Sequence, residues 1–548
     1  MSSINPITSR LNAIKSQQSA IREIDANEAT GDELLLAEIG YKQELRRSFK
    51  TYEVFGISYS IMGILPGIAS MAGTGLLAGP AGFVWSWAIA SFFICTIALG
   101  LSELASAIPT SGGLYYWTHY YAPPNIRVPL SFVIGLSNSM ALCAGVVSVA
   151  YGNAEEILAA IYIQLDGDFE ITTGKTYGIF AACVVTQTLC TCLSSKNSAR
   201  LQTVSSVLNT ILFMIFFIAL PIGTARTRGS FNSRGFIFGE VQNHTDWNKG
   251  WEFMLAMMSA VWSIGAFDSC IHCSEECENA TFGVPIGIIS SVSIVSLICW
   301  FCIVCLVACM NPDVSAVLAT DTSFPFAQII YDSLGKKWAI GIMALTAVCQ
   351  WLCAASILTA LSRQVWAFAR DNGLPFHEIV KVVDKRTRAP LRAVVFAACI
   401  SLCLGCLCLA GSAASNALFS LCVSGNYVSW CTPILLRLTT GKSRFRPGRF
   451  YLGDFWSPLI SWTGVTWGAF ILVLCMFPSS KAVDKTTMNY TVVISCGCWI
   501  LSVIYFFTYK YKFYHGPRSN LTPEDNIEGV ATEVVLDSSD DNEKRDFV

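Results

Sequence analysis

Charge is scarce in this chain. Asp, Glu, Lys and Arg make up 14% of its 548 residues and apolar types 53%, with a mean hydropathy of +0.51. Soluble domains run nearer a quarter charged, so the balance excludes an ordinary soluble enzyme or binding module and points to a membrane protein. A cleavable signal peptide is also missing: residues 1–50 are polar and charged, with no apolar core followed by a small-residue cleavage site. The first apolar span is therefore expected to insert itself. No glycine loop of the Walker type is present, which disfavours an ATP-driven pump encoded in this chain. No nucleophile–base arrangement stands out either, so an enzyme is not expected. The net charge of −2 says nothing about a partner, and no nucleic acid is expected. Cysteine, by contrast, is abundant. Most of the 23 cysteines lie in apolar runs such as LCLGCLCLA (402–410), where they read as small, soft apolar residues rather than a disulfide framework.

Apolar stretches long enough to cross a bilayer recur along most of the length. Twelve are expected, over 52–79, 81–107, 128–160, 175–195, 197–223, 251–279, 283–310, 335–369, 389–410, 413–438, 456–478 and 488–510. The fold class is thus an all-α membrane protein, embedded in a lipid bilayer. Residues 1–50 form an N-terminal tail, largely disordered apart from a short amphipathic helix within 32–45. The acidic stretch 513–548 forms a C-terminal tail, and 51–512 is the twelve-helix domain. Basic connections at 45–50, 370–392 and 437–449 fall on one side, which places both termini in the cytosol. The acidic loop 164–175 falls opposite. The connection 224–250, with Arg226, Arg228, Arg234 and Lys249, goes against the pattern.

The first span, GISYSIMGILPGIASMAGTGLLAGP (56–80), carries its own breakers at Gly63–Gly67, with Pro66 among them. Five spans later MLAMMSAVWSIGAFDSCIHCSEEC (254–277) again combines span length with a glycine-containing polar middle. Interrupted helices in corresponding positions of two halves are the sequence mark of inverted-repeat transporters. The repeats would cover about 51–224 and 250–438, with peripheral helices over 456–510. An unwound backbone is tolerated in lipid only where it lines a cavity, and there its free N–H groups can hold a carboxylate and its carbonyls an ammonium. The alternative is that the glycines serve close helix packing and Pro66 only kinks the helix.

Gly63, Ile64, Leu65, Pro66 and Gly67 from the first break, and Ser263, Gly265, Phe267 and Asp268 from the second, are the candidate substrate-binding residues. Asp268 would attract an amine or carry a coupling proton, or else make a structural hydrogen bond. Gln350 and Asn426, polar positions inside the eighth and tenth spans, are candidates for the cavity wall or for interhelical hydrogen bonds. Glu103, Asp268 and Glu275 are candidates for gating or proton coupling, with Glu276 beside Glu275 in an inner gate or at the interface. Glu103 also fits a structural cap. Glu155 and Glu156 read as charges at the membrane interface. Cys270, His272, Cys273 and Cys277 cannot converge on one tetrahedral ion from a helix, so no metal site is expected. Asn243-His244-Thr245 is a glycosylation sequon.

ELASAIPTSGGLYYWTHYYAP (103–123), FDSCIHCSEEC (267–277) and SRQVWAFARDNGLP (362–375) resemble the amino acid–polyamine–organocation superfamily. More narrowly they resemble its fungal amino acid/choline transporter branch, and the resemblance extends over nearly all of the chain. It implies a LeuT-type fold: a five-plus-five inverted repeat with broken helices 1 and 6, two peripheral helices, and a midplane site. It implies a secondary active transporter working by alternating access, with GABA or a similar amino acid as substrate, or putrescine, another polyamine or choline. A transporter-like nutrient sensor is the alternative of another class. No cofactor is implied, and the proton is the expected coupling ion. The membrane is the fungal vacuolar or the plasma membrane; DELLL (32–36) resembles an acidic dileucine sorting signal. Relatives hold the substrate carboxylate with a Gly-Ser/Thr-Gly segment, and here the matching stretch Gly63–Gly67 lacks the hydroxyl. Some bacterial relatives carry a lysine in span five, where this chain aligns Asn209.

Overall fold

The computed structural model describes residues 35–518 apart from 38, 194, 323 and 485–487. Among the described residues the protein is helical throughout, and the only strand-like pairing is an isolated bridge between Phe49 and Cys277. Helices dominate because lipid offers no partner to a backbone N–H or C=O, so each crossing segment must satisfy its own.

The first span comes in two halves, α1 (Thr51–Met62) and α2 (Ile64–Leu76). There follow α3 (Gly79–Ala107), the short α4 (Gly113–Tyr121), α5 (Arg127–Gln164), α6 (Thr173–Thr191) and α7 (Ser195–Thr227). The second interrupted span comprises α8 (Lys249–Ala256), α9 (Met258–Ser263), α10 (Ser269–His272) and a 3-10 turn over Ser274–Glu276. After it come α11 (Ala280–Cys309), α12 (Pro325–Leu334), α13 (Lys336–Arg370), α14 (Leu391–Gly405), α15 (Ser412–Leu438), α16 (Gly453–Leu474) and α17 (Thr491–Thr508).

Nine helical segments among the described residues are long and apolar enough to cross a membrane. They coincide with nine of the twelve expected spans. Helices also occupy the other three expected positions: α6, the interrupted α8–α10, and α15. Burial sorts the spans into an inner group and a periphery. The most apolar window of α1–α2 is 89% buried and that of α5 83%, against 22% for α17. α5 packs along α13 and α15, while α3 and α1 pack against α11. The inner group is therefore built around the interrupted helices.

The two ends of the described chain meet on one face, here termed the N-side. Leu36, Tyr41, Leu45 and Phe49 are buried, and the segment before α1 is tied down by its backbone. Ser48 and Phe49 donate N–H bonds of 2.9 and 3.0 Å to the Glu276 carbonyl, and the Phe49 carbonyl accepts from Glu278 at 2.9 Å. Only residues 35–37 of the helix expected over 32–45 are helical; 41–44 run without helix, and residues 32–34 and 38 lie outside the described chain. The reason is tertiary, since the segment spends its apolar side chains on the N-side face rather than on one helical stripe. At the other end packing continues past the boundary expected at 512. Tyr514 is fully buried, its hydroxyl 3.0 Å from that of Ser131.

α3, α15 and α16 are clamped on the same face by Glu103. Its buried carboxylate pairs with Arg437 and accepts from the Ser457 hydroxyl at 2.7 Å and the Leu452 N–H at 3.0 Å. Arg437 also lies over the Phe445 ring, 4.0 Å from its centre. Removing one member of such a pair leaves an uncompensated buried charge, while apolar replacement of both is often neutral. Arg437→Ala should thus destabilise the protein by about 3–5 kcal/mol, and the double variant Glu103→Met/Arg437→Leu should recover most of that loss, read as thermal midpoints in detergent.

Candidate functional site

The first break is sharper than its sequence suggests. Only Gly63 leaves the helix, at φ +35°, and Ile64–Gly67 already belong to α2. Glycine adopts this backbone at no steric cost. The Gly67 N–H bonds to the Gly63 carbonyl at 2.9 Å, and Pro66 has no N–H to offer. The N–H groups of Gly63, Ile64 and Leu65 have no partner among the described residues. They form a cluster of donors at the positive end of α2.

The second break runs from Ile264 to Phe267. Ala266 sits at φ +53°, a left-handed conformation that costs a non-glycine residue roughly 1–2 kcal/mol. Carbonyls lose their donors here: those of residues 261–265 accept no hydrogen bond among the described residues. Acceptors of the second break thus complement donors of the first. The two breaks touch where the Ser263 hydroxyl donates to the Gly67 carbonyl at 3.1 Å. A Cβ on Gly67 would lie 3.1 Å from both the Met62 carbonyl oxygen and the Ser263 Cβ. Glycine lets the halves approach.

A cavity lies at this crossing. Ile61, Met62, Gly67, Leu142, Val149, Ser263, Gly265 and Gln350 are among its walls, and none of its lining residues is charged. Its free space is about 30 Å³, room for roughly one or two waters, so a larger solute needs the halves to part. Of the predicted site residues, Gly67, Ser263, Gly265 and Gln350 line it. Gly63, Ile64, Leu65, Pro66, Phe267, Asp268 and Asn426 do not. Gln350 spans α13, α2 and α5, its amide nitrogen 3.4 Å from the Ser70 hydroxyl and 3.3 Å from the Val149 carbonyl. Phe267 packs on Trp430 with ring centres 4.4 Å apart and planes tilted by 33°, and among the described residues Asn426 reaches only the Cys422 sulfur at 3.7 Å.

Asp268 is fully buried. Oδ2 accepts from the Asn138 amide at 2.9 Å and lies 3.4 Å from His272 Nε2; Oδ1 has no partner among the described residues. His272 Nδ1 lies 3.0 Å from the Ser111 carbonyl. Glu275 and Glu276 are not solvated interface groups. Arg370 grips Glu275 with two bonds, of 3.0 and 3.1 Å, and Arg363 Nε meets Glu276 at 2.6 Å. Glu275 also accepts the Ser111 N–H at 3.1 Å. Arg370 lies over the Tyr41 ring, 3.9 Å from its centre. Asp371, just past α13, accepts hydroxyls of Tyr41 at 2.9 Å and Tyr115 at 2.7 Å. Burial pushes its carboxyl up to about 6, against the opposing pull of Arg370 and the hydroxyls. This network ties the N-terminal segment, α4, α13 and the second interrupted span together on the N-side.

Sequence reasoning missed the arginines. Part of their signal was present: Arg363 stands inside an apolar span, where a charge needs a partner, and Arg370, counted with the basic connection, follows seven residues on along the same helical face. Glu156 corrects another reading. Glu155 is exposed, but Glu156 is fully buried and neither of its oxygens has a hydrogen-bond partner among the described residues. Asn209 donates to the Ser205 carbonyl at 3.0 Å, beside a hydroxyl cluster of Ser60, Ser205 and Ser356. Glu103, in its clamp with Arg437, is not among the cavity's lining residues.

Residues 49–498 match the family described as "Amino acid permease". The chain is 54% identical over 531 residues to the GABA-specific permease of Saccharomyces cerevisiae, covering 96% of this chain and 93% of that protein. It is 33% identical over 527 residues to an uncharacterized amino-acid permease of Schizosaccharomyces pombe, covering 94% and 95%. A Candida albicans protein described provisionally as a polyamine transporter is 30% identical over 513 residues, covering 92% of each chain. Permeases move solutes, and the apolar helices make this chain a multi-pass membrane protein.

The crossing at Gly67 carries a direct test. Gly67→Ala forces Ser263 and the Met62 carbonyl apart by a few tenths of an ångström, an overpacking cost of about 1–3 kcal/mol. Gly67→Ala should slow uptake of labelled amino acids by about tenfold and Gly67→Val should abolish it, both with normal membrane insertion. Rates for Gly67→Val within about twofold of the parent would remove the crossing from the transport site.

Proposed function

The chain belongs to the amino acid permease family, and we propose that it moves GABA or a closely similar amino acid across a membrane by alternating access. One observation carries this reading: an uncharged cavity at the crossing of two helix breaks, with unpaired N–H groups on one break and unpaired carbonyls on the other. GABA has a carboxylate and an ammonium separated by three methylenes. The donors of Gly63, Ile64 and Leu65 take the carboxylate once the halves part, and the carbonyls of 261–265 take the ammonium. Ile61, Met62, Leu142 and Val149 cover the methylenes, and Ser263 and Gln350 set the wall. Backbone dipoles act strongly there because the surroundings are of low dielectric.

The resemblance to a GABA-specific permease supports the same substrate. A dication such as putrescine would call for carboxylates in the cavity wall, where the lining has none. Asp268, outside that wall, serves coupling rather than amine binding, and the proton is the coupling ion. Glu275 belongs to the gate, while Glu103 holds the frame. Both termini lie in the cytosol, on the side of the basic connections at 45–50, 370–392 and 437–449. The membrane is that of the vacuole or the cell surface.

Uptake into proteoliposomes decides between the substrates. Labelled GABA should enter faster than putrescine, choline or neutral α-amino acids, and a pH gradient should raise its accumulation. No GABA flux with or without the gradient would sink the reading.

A further inference from the structure

Just past the second break, Asp268 and His272 are placed to share a proton. Asp268 and His272 stand four residues apart on one helical turn, both fully buried, with Oδ2 and Nε2 3.4 Å apart. The other ring nitrogen of His272 faces the Ser111 carbonyl at 3.0 Å. A carbonyl only accepts, so Nδ1 carries a hydrogen. A neutral ring would then turn the bare lone pair of Nε2 towards a carboxylate oxygen. That oxygen already accepts from Asn138, and the Asn138 amide points its donor, not its acceptor, at the pair. A proton on the Nε2–Oδ2 line removes the conflict, whether it sits on the ring or on the carboxyl. With it the pair is neutral overall; without it a net negative charge is left buried among apolar helices, which is costly.

We infer that the Asp268–His272 pair is the proton-carrying site of this protein, loaded through Asp268 and emptied through His272 Nδ1 towards the N-side. The inference rests on the proposed proton coupling. Its two ends face different neighbours. Oδ1 of Asp268 has no partner among the described residues, although Asp268 itself is not among the cavity's lining residues. That free oxygen is where an arriving proton can bind. At the other end, Ser111 covers Nδ1 and its own N–H is held by Glu275, which Arg370 grips. Parting of the Glu275–Arg370 pair releases Ser111. The Nδ1 hydrogen then meets water, and its departure leaves a ring that takes the shared proton on Nε2. One proton enters and one leaves; the emptied pair is an Nε2–H ring donating to a carboxylate, with a net negative charge whose burial favours reloading once the ring has regained its Nδ1–H form.

The surrounding titratable groups are few. Cys270 lies on the same turn and Cys422 on α15. α13 brings Arg363 and Arg370, already paired with Glu276 and Glu275 of the adjoining turn. α1 brings Glu53, which caps its own helix at the Lys50 N–H, and α11 has no titratable residue between Ala280 and Ile298. Asp371, with Tyr41 and Tyr115, lies beyond Arg370.

The test uses the full chain in proteoliposomes and reads the final accumulation of labelled GABA, not its rate. One proton moved per substrate across a one-unit pH gradient supports about tenfold accumulation. His272→Gln and Asp268→Asn should bring that ratio to about one, whatever their rates. A purely structural defect would slow the approach and leave the ratio in place. Infrared difference spectra on pH titration supply a readout free of substrate. A carboxyl band should vanish in Asp268→Asn, shift in His272→Gln, and persist in Asp371→Asn. Full accumulation in both variants, or a spectrum that neither alters, would overturn the assignment. Failure of the parent itself to respond to the gradient would instead overturn the coupling reading, with the infrared titration still deciding whether the pair holds a proton.

Discussion

An unpaired backbone group is among the most expensive things to place in the hydrocarbon of a bilayer, and this protein keeps a cluster of them at its centre. The constraint dictates what surrounds them. The donors of Gly63–Leu65 and the acceptors of 261–265 lie on helices that cross, and the most apolar window of α1–α2 is the most buried of all the candidate spans. Gly67 permits the crossing, Ser263 ties it, and Gln350 closes a wall between three helices. Ala266 bears a left-handed backbone in the second break, where residues strained in this way commonly mark function.

Charge answers to the same constraint. Glu275, Glu276 and Glu103 are buried carboxylates; the first two meet arginines of α13 and the third an arginine of α15. Such pairs contribute little net stability, because desolvation offsets most of the attraction, but breaking one leaves a charge stranded. On the proposed reading the Glu275–Arg370 pair is therefore a latch rather than glue. The Glu275–Arg370 latch also fixes Ser111, and through Arg370 it touches Tyr41 of the N-terminal segment. The N-side network and the surroundings of His272 are thus one arrangement.

How much of this was legible in the sequence depended on whether a feature is local. A glycine or proline inside a membrane span violates a local rule, so both breaks could be placed from residues alone, and Gly67, Ser263, Gly265 and Gln350 do line the cavity. The extent of the first break was overstated because Ile64–Gly67 resume the helix at once, with Pro66 in the first turn where its missing N–H costs nothing. Pairing is a property of the fold. Nothing near Glu275 or Glu103 announces Arg370 or Arg437, 95 and 334 residues away. Glu156 illustrates the limit of reading along a line: its neighbour Glu155 is exposed, and one residue of helical rotation, 100°, separates solvent from core. His272 was weighed only against metal binding, since its partners Asp268 and Ser111 become visible together only once the turn and the α3–α4 connection are folded.

The missing hydroxyl in the first break now has a physical reading. Relatives that grip a carboxylate with a serine or threonine place a side-chain donor at one fixed point. This chain offers Ile64 and Leu65 there, whose apolar side chains exclude water and whose N–H groups remain unpaired. Excluding water raises the worth of each backbone dipole, so on the proposed reading a drier site offsets the loss of one hydroxyl. A grip made of dipoles at both ends, with no fixed charge in the wall, is satisfied only by a ligand that brings both charges itself and an apolar stretch between them. On the proposed reading a zwitterion with separated ends meets that condition, whereas a dication would set its second positive charge against the donors of α2, at the positive end of a helix.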